Sequence, residues 1–74
     1  MDDKEQFLVL VGDNIRKFRM AKFYSQQQLA DEVNIAKSTI QRIENGQLNP
    51  TIWVLKNVTN VLGVSLDDLI TNNN

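Results

Sequence analysis

The sequence predicts an all-α domain of five helices, and three observations carry that prediction. Helix starts and stops recur along the chain: Ser25, Thr51 and Ser65 each precede an apolar-periodic stretch, and Asn34, Gly46 and Gly63 each follow one. The apolar residues recur at helical rather than strand spacing. A chain of 74 residues, 42% hydrophobic and with one Pro, can bury one small core without a metal or a disulfide.

The first helix is read over about residues 4–21. Locally, the run FLVLV at 7–11 followed by Gly-Asp-Asn looks like a buried strand and a turn, whereas at helical spacing Phe7, Leu8, Val11, Ile15, Phe18 and Lys22 share one face. The helix is preferred, because a lone strand has no partner elsewhere in the chain and would leave its backbone groups unpaired. Ser25 opens the second helix. Gln28 follows at the spacing of a capping box, and Tyr24 and Leu29 take the two positions of a hydrophobic staple. This helix is expected to end near Val33, because Asn34 can adopt the left-handed conformation that stops a helix. Residues 37–44 form a third helix closed by Gly46. Thr51, after Pro50, caps a fourth that carries Ile52, Leu55, Val58, Thr59 and Leu62 on one face and ends at Gly63. Ser65, with Asp67 and Asp68 in the first turn, starts a fifth through Ile70. The chain is read as one domain over 1–74, with an acidic N-terminal helix extension at 1–10 and a frayed polar tail at 71–74.

Composition removes several classes of function. With no Cys and no His, a disulfide framework, thiol catalysis and the usual zinc sites are excluded, and no side chain offers a base near neutral pKa. A Ser–Lys dyad stays open on sequence grounds, but no pocket is suggested for it. The acidic pairs Asp2/Asp3, Asp31/Glu32 and Asp67/Asp68 each sit at a helix start or on a solvated face, so no metal site, cofactor or small-molecule ligand is expected, and no enzyme activity. The run at 7–11 is too short to span a membrane and follows an acidic start, so neither a transmembrane helix nor a signal peptide is expected.

Net charge is −1, yet its distribution is uneven. Residues 1–13 set Asp2, Asp3, Glu5 and Asp13 against Lys4, and residues 47–74 set Asp67 and Asp68 against Lys56. Residues 14–46 set Arg16, Lys17, Arg19, Lys22, Lys37 and Arg42 against Asp31, Glu32 and Glu44. A basic middle between acidic ends allows a local basic face on an acidic protein.

The second and third helices, each of about eight residues and joined by a short turn, make a helix-turn-helix unit at 25–46. On the third helix Ile40 and Ile43 define the inward direction, Ser38, Arg42, Asn45 and Gln41 point most nearly outward, and Lys37 and Thr39 lie at the flanks. Such a face suits the DNA major groove, where donors and acceptors must reach base edges; alone, it is equally a solvated helix face.

Ser25-Gln26, Leu29-Ala30, Ser38-Thr39-Ile40, Ile43-Glu44-Asn45-Gly46, Asn49-Pro50 and Leu62-Gly63-Val64-Ser65 occur in order along the chain. In these motifs and their spacing, residues from about 11 to 70 resemble the Cro/cI-type, phage-repressor-like helix-turn-helix family. The resemblance implies a compact five-helix lambda-repressor-like fold and a sequence-specific regulator of transcription, expected to be a repressor, that binds double-stranded DNA in the cytoplasm, on the nucleoid. It places base contacts on Lys37, Ser38 and Arg42, with Thr39 and Gln41 as adjuncts. Arg42 would read guanine, and Lys37 would read a base or hold a phosphate. It places phosphate contacts on Gln26, whose position at a capped helix start already favours an anion, and on Asn45, which is also an ordinary helix stop in Asn-Gly. Arg16, Lys17 and Lys22 would add diffuse positive potential. Arg19 and Glu44 each lie about 60° from an inward direction, at the border of the core, and in the family residues at these positions pair.

Three departures from the family pattern stand out. Phe23 replaces the Gly that usually ends the first helix, so it takes an allowed conformation or is strained. Asn34 replaces the Gly of the turn. Ala36 replaces the capping Ser or Thr of the third helix, at a cost of about 0.5 to 2 kcal/mol. Val9 and Leu10, directed away from the expected core face, are the expected homodimer interface, and Trp53, opposite the inward face of the fourth helix, either joins it or lies close to the DNA backbone. The other class of function is a protein-interaction module on the same fold, such as an antitoxin or anti-repressor, which the acidic extension with its outward apolar residues would serve.

Overall fold

The computed structural model describes residues 2–72, and its element order is α1 (Asp3–Ala21), α2 (Gln26–Val33), α3 (Lys37–Glu44), α4 (Ile52–Leu62) and α5 (Leu66–Ile70). Each start is set by a local signal. Asp2 caps α1 by accepting from the backbone N–H of Glu5, and Thr51 caps α4 by accepting from Val54. At Ser25 and Ser65 the capping is reciprocal: each hydroxyl accepts from the backbone N–H three residues on, and Gln28 and Asp68 return a side-chain oxygen to the capping residue's own N–H. Ala36 gives α3 no side-chain cap.

The four longer helices all stop at a left-handed residue, at Phe23, Asn34, Gly46 and Gly63. After α1, the N–H of Tyr24 reaches Arg19 O and that of Phe23 reaches Met20 O; Ile35 and Gln47 close α2 and α3 in the same way on Ala30 and Arg42. This reverse wrap satisfies carbonyls that the helix end would leave free, and it requires positive φ at the turning residue. Gly and Asn tolerate that conformation, but Phe23, at φ 60°, does not. The strained alternative therefore holds at Phe23, a residue 93% exposed that gains little from packing. Phe23→Gly is expected to raise stability by about 0.5 to 1 kcal/mol in urea melts, relief of strain outweighing the added freedom of the unfolded chain. A loss of stability would contradict the strain.

The core is formed by Val11 and Ile15 of α1, Leu29, Ala30 and Val33 of α2, Ile40 and Ile43 of α3, Val58 and Leu62 of α4 and Leu69 of α5. Helix α1 lies across α3 and α5, while α2 packs on α3 and α4. Two inward faces differ from the sequence expectation. Residues 2–7 are all exposed, Phe7 at 46%, because the start of α1 runs past the elements it packs on. Val9 and Leu10 are half-buried instead of facing solvent, and Val9 sits against Gly46. On α4, Ile52 is 83% exposed at the helix start, and Val54 and Val61 join the core from the other side.

Asn14 is buried on α1, and its Nδ2 donates to Leu69 O at 2.9 Å and Thr71 O at 2.8 Å, fastening the last turn of α5. Thr71 is further tied to Asp67 O by its N–H and its hydroxyl, so the chain is held at 71, where a frayed tail was expected; residues 73–74 of that tail and Met1 of the extension lie outside the described residues. Among the described residues no helix is long and apolar enough to cross a membrane, and no group of three or more acidic residues is arranged to hold a metal ion.

Candidate nucleic-acid interface

Helix α3 is anchored by two side chains and otherwise offered to solvent. Ile40 and Ile43 are buried, while Lys37, Ser38, Gln41 and Arg42 are exposed and Thr39 is half-buried. Four of the five residues expected to touch bases are thus exposed on one helix, with Thr39 half-buried at its flank and Arg42 on its last turn. The second and third helices turn through Asn34, Ile35 and Ala36, with Ile35 packed on the core, so the exposed face of α3 is fixed relative to α2.

Gln26 is the first residue of α2, half-buried, and its amide Nε2 donates to Glu44 Oε1 at 3.1 Å. Glu44, expected at the border of the core, is fully inside it. Arg19 grips it with two hydrogen bonds, Nε to Oε2 at 2.7 Å and Nη2 to Oε1 at 3.0 Å, and sends Nη1 to Tyr24 O at 2.8 Å. One carboxylate at the end of α3 is therefore joined to α1, to the start of α2 and, through Arg19, to the turn between them. Paired bidentate hydrogen bonds to an ionised group are the stronger kind. The link from Glu44 to Gln26 escaped the sequence reading, in which the two residues had separate roles.

Asn45 is exposed at the end of α3 with φ −86°, and the left-handed turn is made by Gly46, so stopping the helix does not require Asn45. The remaining basic residues are partly occupied. Arg16 pairs with Asp13 on the surface, Lys17 Nζ lies 5.6 Å from the Phe18 ring centroid, and Lys22 reaches toward Gly63. Trp53 is 67% exposed at the start of α4, with Lys56 Nζ 5.3 Å from its ring centroid, and it borders a shallow groove shared with Glu32, Asn34 and Asn57.

A profile of the helix-turn-helix family HTH_3 matches residues 15–69. The HTH-type transcriptional regulator SinR of Bacillus subtilis is 40% identical over 62 residues, covering 82% of this chain and 56% of that protein. The immunity repressor protein of Bacillus phage phi105 is 30% identical over 60 residues, covering 81% of this chain and 42% of the repressor. A crystal structure of SinR, the master regulator for biofilm formation, in complex with DNA matches with a TM-score of 0.77 at 40% identity, covering 82% of this chain and 98% of that one. The chain spans about half the length of the curated relatives it matches. By the extent of the profile match and the five-helix fold that accompanies it, the chain belongs to the helix-turn-helix family HTH_3, the Cro/cI-type family its motifs resemble.

Proposed function

We propose that residues 1–74 act as one DNA-binding domain of a transcription regulator, which reads a specific double-stranded sequence in the major groove with α3 and represses by occupying it. The observation that carries this reading is α3 itself: two buried isoleucines hold a short helix whose remaining surface is Lys37, Ser38, Thr39, Gln41 and Arg42. A groove-reading helix needs donors and acceptors on a rigid support, and a helix that served only the core would not. Gln26 and Asn45, at the start of α2 and the end of α3, are the proposed phosphate contacts that set the register of α3 on the duplex. The likeness to SinR, solved with DNA, and to a phage immunity repressor supports both the ligand and the sign of regulation.

Selection of bound duplexes from a random library tests the reading directly, because it returns a consensus and a half-site spacing together. Arg42→Ala is expected to cost about 1 to 3 kcal/mol of binding and to relax preference at one base pair, whereas Gln26→Ala should weaken all duplexes alike. An unchanged consensus with Arg42→Ala would remove α3 from base reading. A negative slope of log K against log salt is expected on random duplex; a protein-interaction module would give no binding to titrate.

The same reading calls for a homodimer, since one recognition helix covers few base pairs and paired half-sites lie about one DNA turn apart. Of the residues assigned to the interface from sequence, Trp53 keeps its exposure, with Ile52 beside it in the chain, while Val9 and Leu10 are largely used within the fold. Sedimentation with and without selected duplex measures the assembly, and the emission of Trp53, the single tryptophan, reports whether that surface becomes covered.

A further inference from the structure

An amide side chain can face a neighbour with either end, and what decides is the group it meets. Gln26 meets Glu44 Oε1, the same oxygen that Arg19 Nη2 holds at 3.0 Å. A carboxylate paired with a guanidinium only accepts, so it admits the NH2 end of Gln26 and rejects the carbonyl end. We propose that Glu44 is a positioning residue for phosphate capture, turning the Gln26 amide so that its second Nε2 hydrogen faces outward from the start of α2. This rests on the assignment of Gln26 as a phosphate contact.

The arrangement resolves why an acidic residue belongs so near a surface meant for DNA. A lone carboxylate beside a phosphate repels it. Glu44 has a fully buried side chain, and both of its oxygens are held by Arg19, so the pair is neutral toward the duplex and retains only its directional effect on Gln26. Gln26 is half-buried, and one hydrogen of its NH2 group is fixed on Glu44, which leaves the second for a partner outside the fold. With the amide reversed, a carbonyl oxygen would face the phosphate and oppose it. The same carboxylate ends α3, so the placement of the phosphate donor and the placement of the base-reading helix share one support.

The test is a nuclear magnetic resonance measurement on the whole chain with 15N-labelled glutamine, in which Gln26→Met identifies the Gln26 side-chain signals. In the free protein the two Nε2 protons should be well separated, one of them shifted downfield and slow to exchange, unlike those of the exposed Gln41 and Gln47. On addition of a selected duplex the second proton should move downfield while the first keeps its position. Gln26→Met, of similar length but without a donor, should bind every duplex about tenfold more weakly while remaining folded, its melting temperature lowered only by the lost bond to Glu44. Free-protein Gln26 signals that coincide with those of exposed glutamines, or a bound duplex that moves neither proton, would overturn the positioning role while leaving DNA binding intact. Failure of the unaltered chain to retain any duplex would overturn both. No variant of the buried pair is needed, so unfolding cannot imitate either result.

Discussion

Glu44→Ala is expected to lower the unfolding free energy by about 3 to 5 kcal/mol, because it strands the Arg19 guanidinium, which is mostly buried, without its counter-charge. A domain of this size has about 4 to 11 kcal/mol in total, so the single change should remove a large share of it and lower the urea midpoint in proportion. Arg19→Met alone should cost a comparable amount by leaving the Glu44 carboxylate buried and unpaired. The combination Arg19→Met with Glu44→Met should recover much of the loss, since two flexible apolar side chains can fill the space that the pair vacates. Recovery stays incomplete because Tyr24 O loses its Nη1 donor and Gln26 loses its acceptor. The energies are read from urea melts of the four proteins as a double-mutant cycle. Strictly additive losses would show that the two charges stabilise the fold independently.

Much of this fold was legible because helix ends are decided locally. Ser25 with Gln28, Thr51, Ser65, Asn34, Gly46 and Gly63 act on backbone groups a few residues away, and a sequence displays such neighbours directly. The facing of long helices was less legible. Helical spacing gives the direction of Phe7 and Ile52 around an axis, but not whether another element extends far enough to cover them, and both lie at helix starts where none does. Asn14 was illegible for a related reason: it serves carbonyls of residues 69 and 71, more than fifty positions along the chain, and nothing near Asn14 signals them. In the candidate site, the outward residues of α3 follow from Ile40 and Ile43 alone. The hydrogen bond between Gln26 and Glu44 does not, since it depends on how closely the start of α2 approaches the end of α3.

The end of α3 also lies close against α1 at a glycine, and Gly12→Ala is expected to be among the most damaging single substitutions, with a loss of about 3 kcal/mol. Gly12 lies within α1, where alanine would ordinarily gain about 1 kcal/mol in helix propensity. The added methyl, however, would clash with Ile43 O and stand 2.6 Å from Glu44 O and 2.9 Å from Glu44 C, all backbone atoms of the last turn of α3. Backbone cannot swing aside as a side chain does, so α1 and α3 must separate, opening the core around Ile15, Ile40 and Ile43 and straining the Arg19–Glu44 bridge. Gly63→Ala provides the contrast. Gly63 has φ 68°, which alanine resists at about 1 to 2 kcal/mol, but the nearest foreign atom to its added methyl is the mobile Nζ of Lys22 at 3.4 Å. Conformation alone ranks Gly63→Ala as the worse change, and space between helices ranks Gly12→Ala as the worse. Urea melts of the two variants decide between these orders. If Gly63→Ala proved the more destabilised, α1 and α3 would not be in the close backbone contact that Gly12 allows at Ile43 and Glu44.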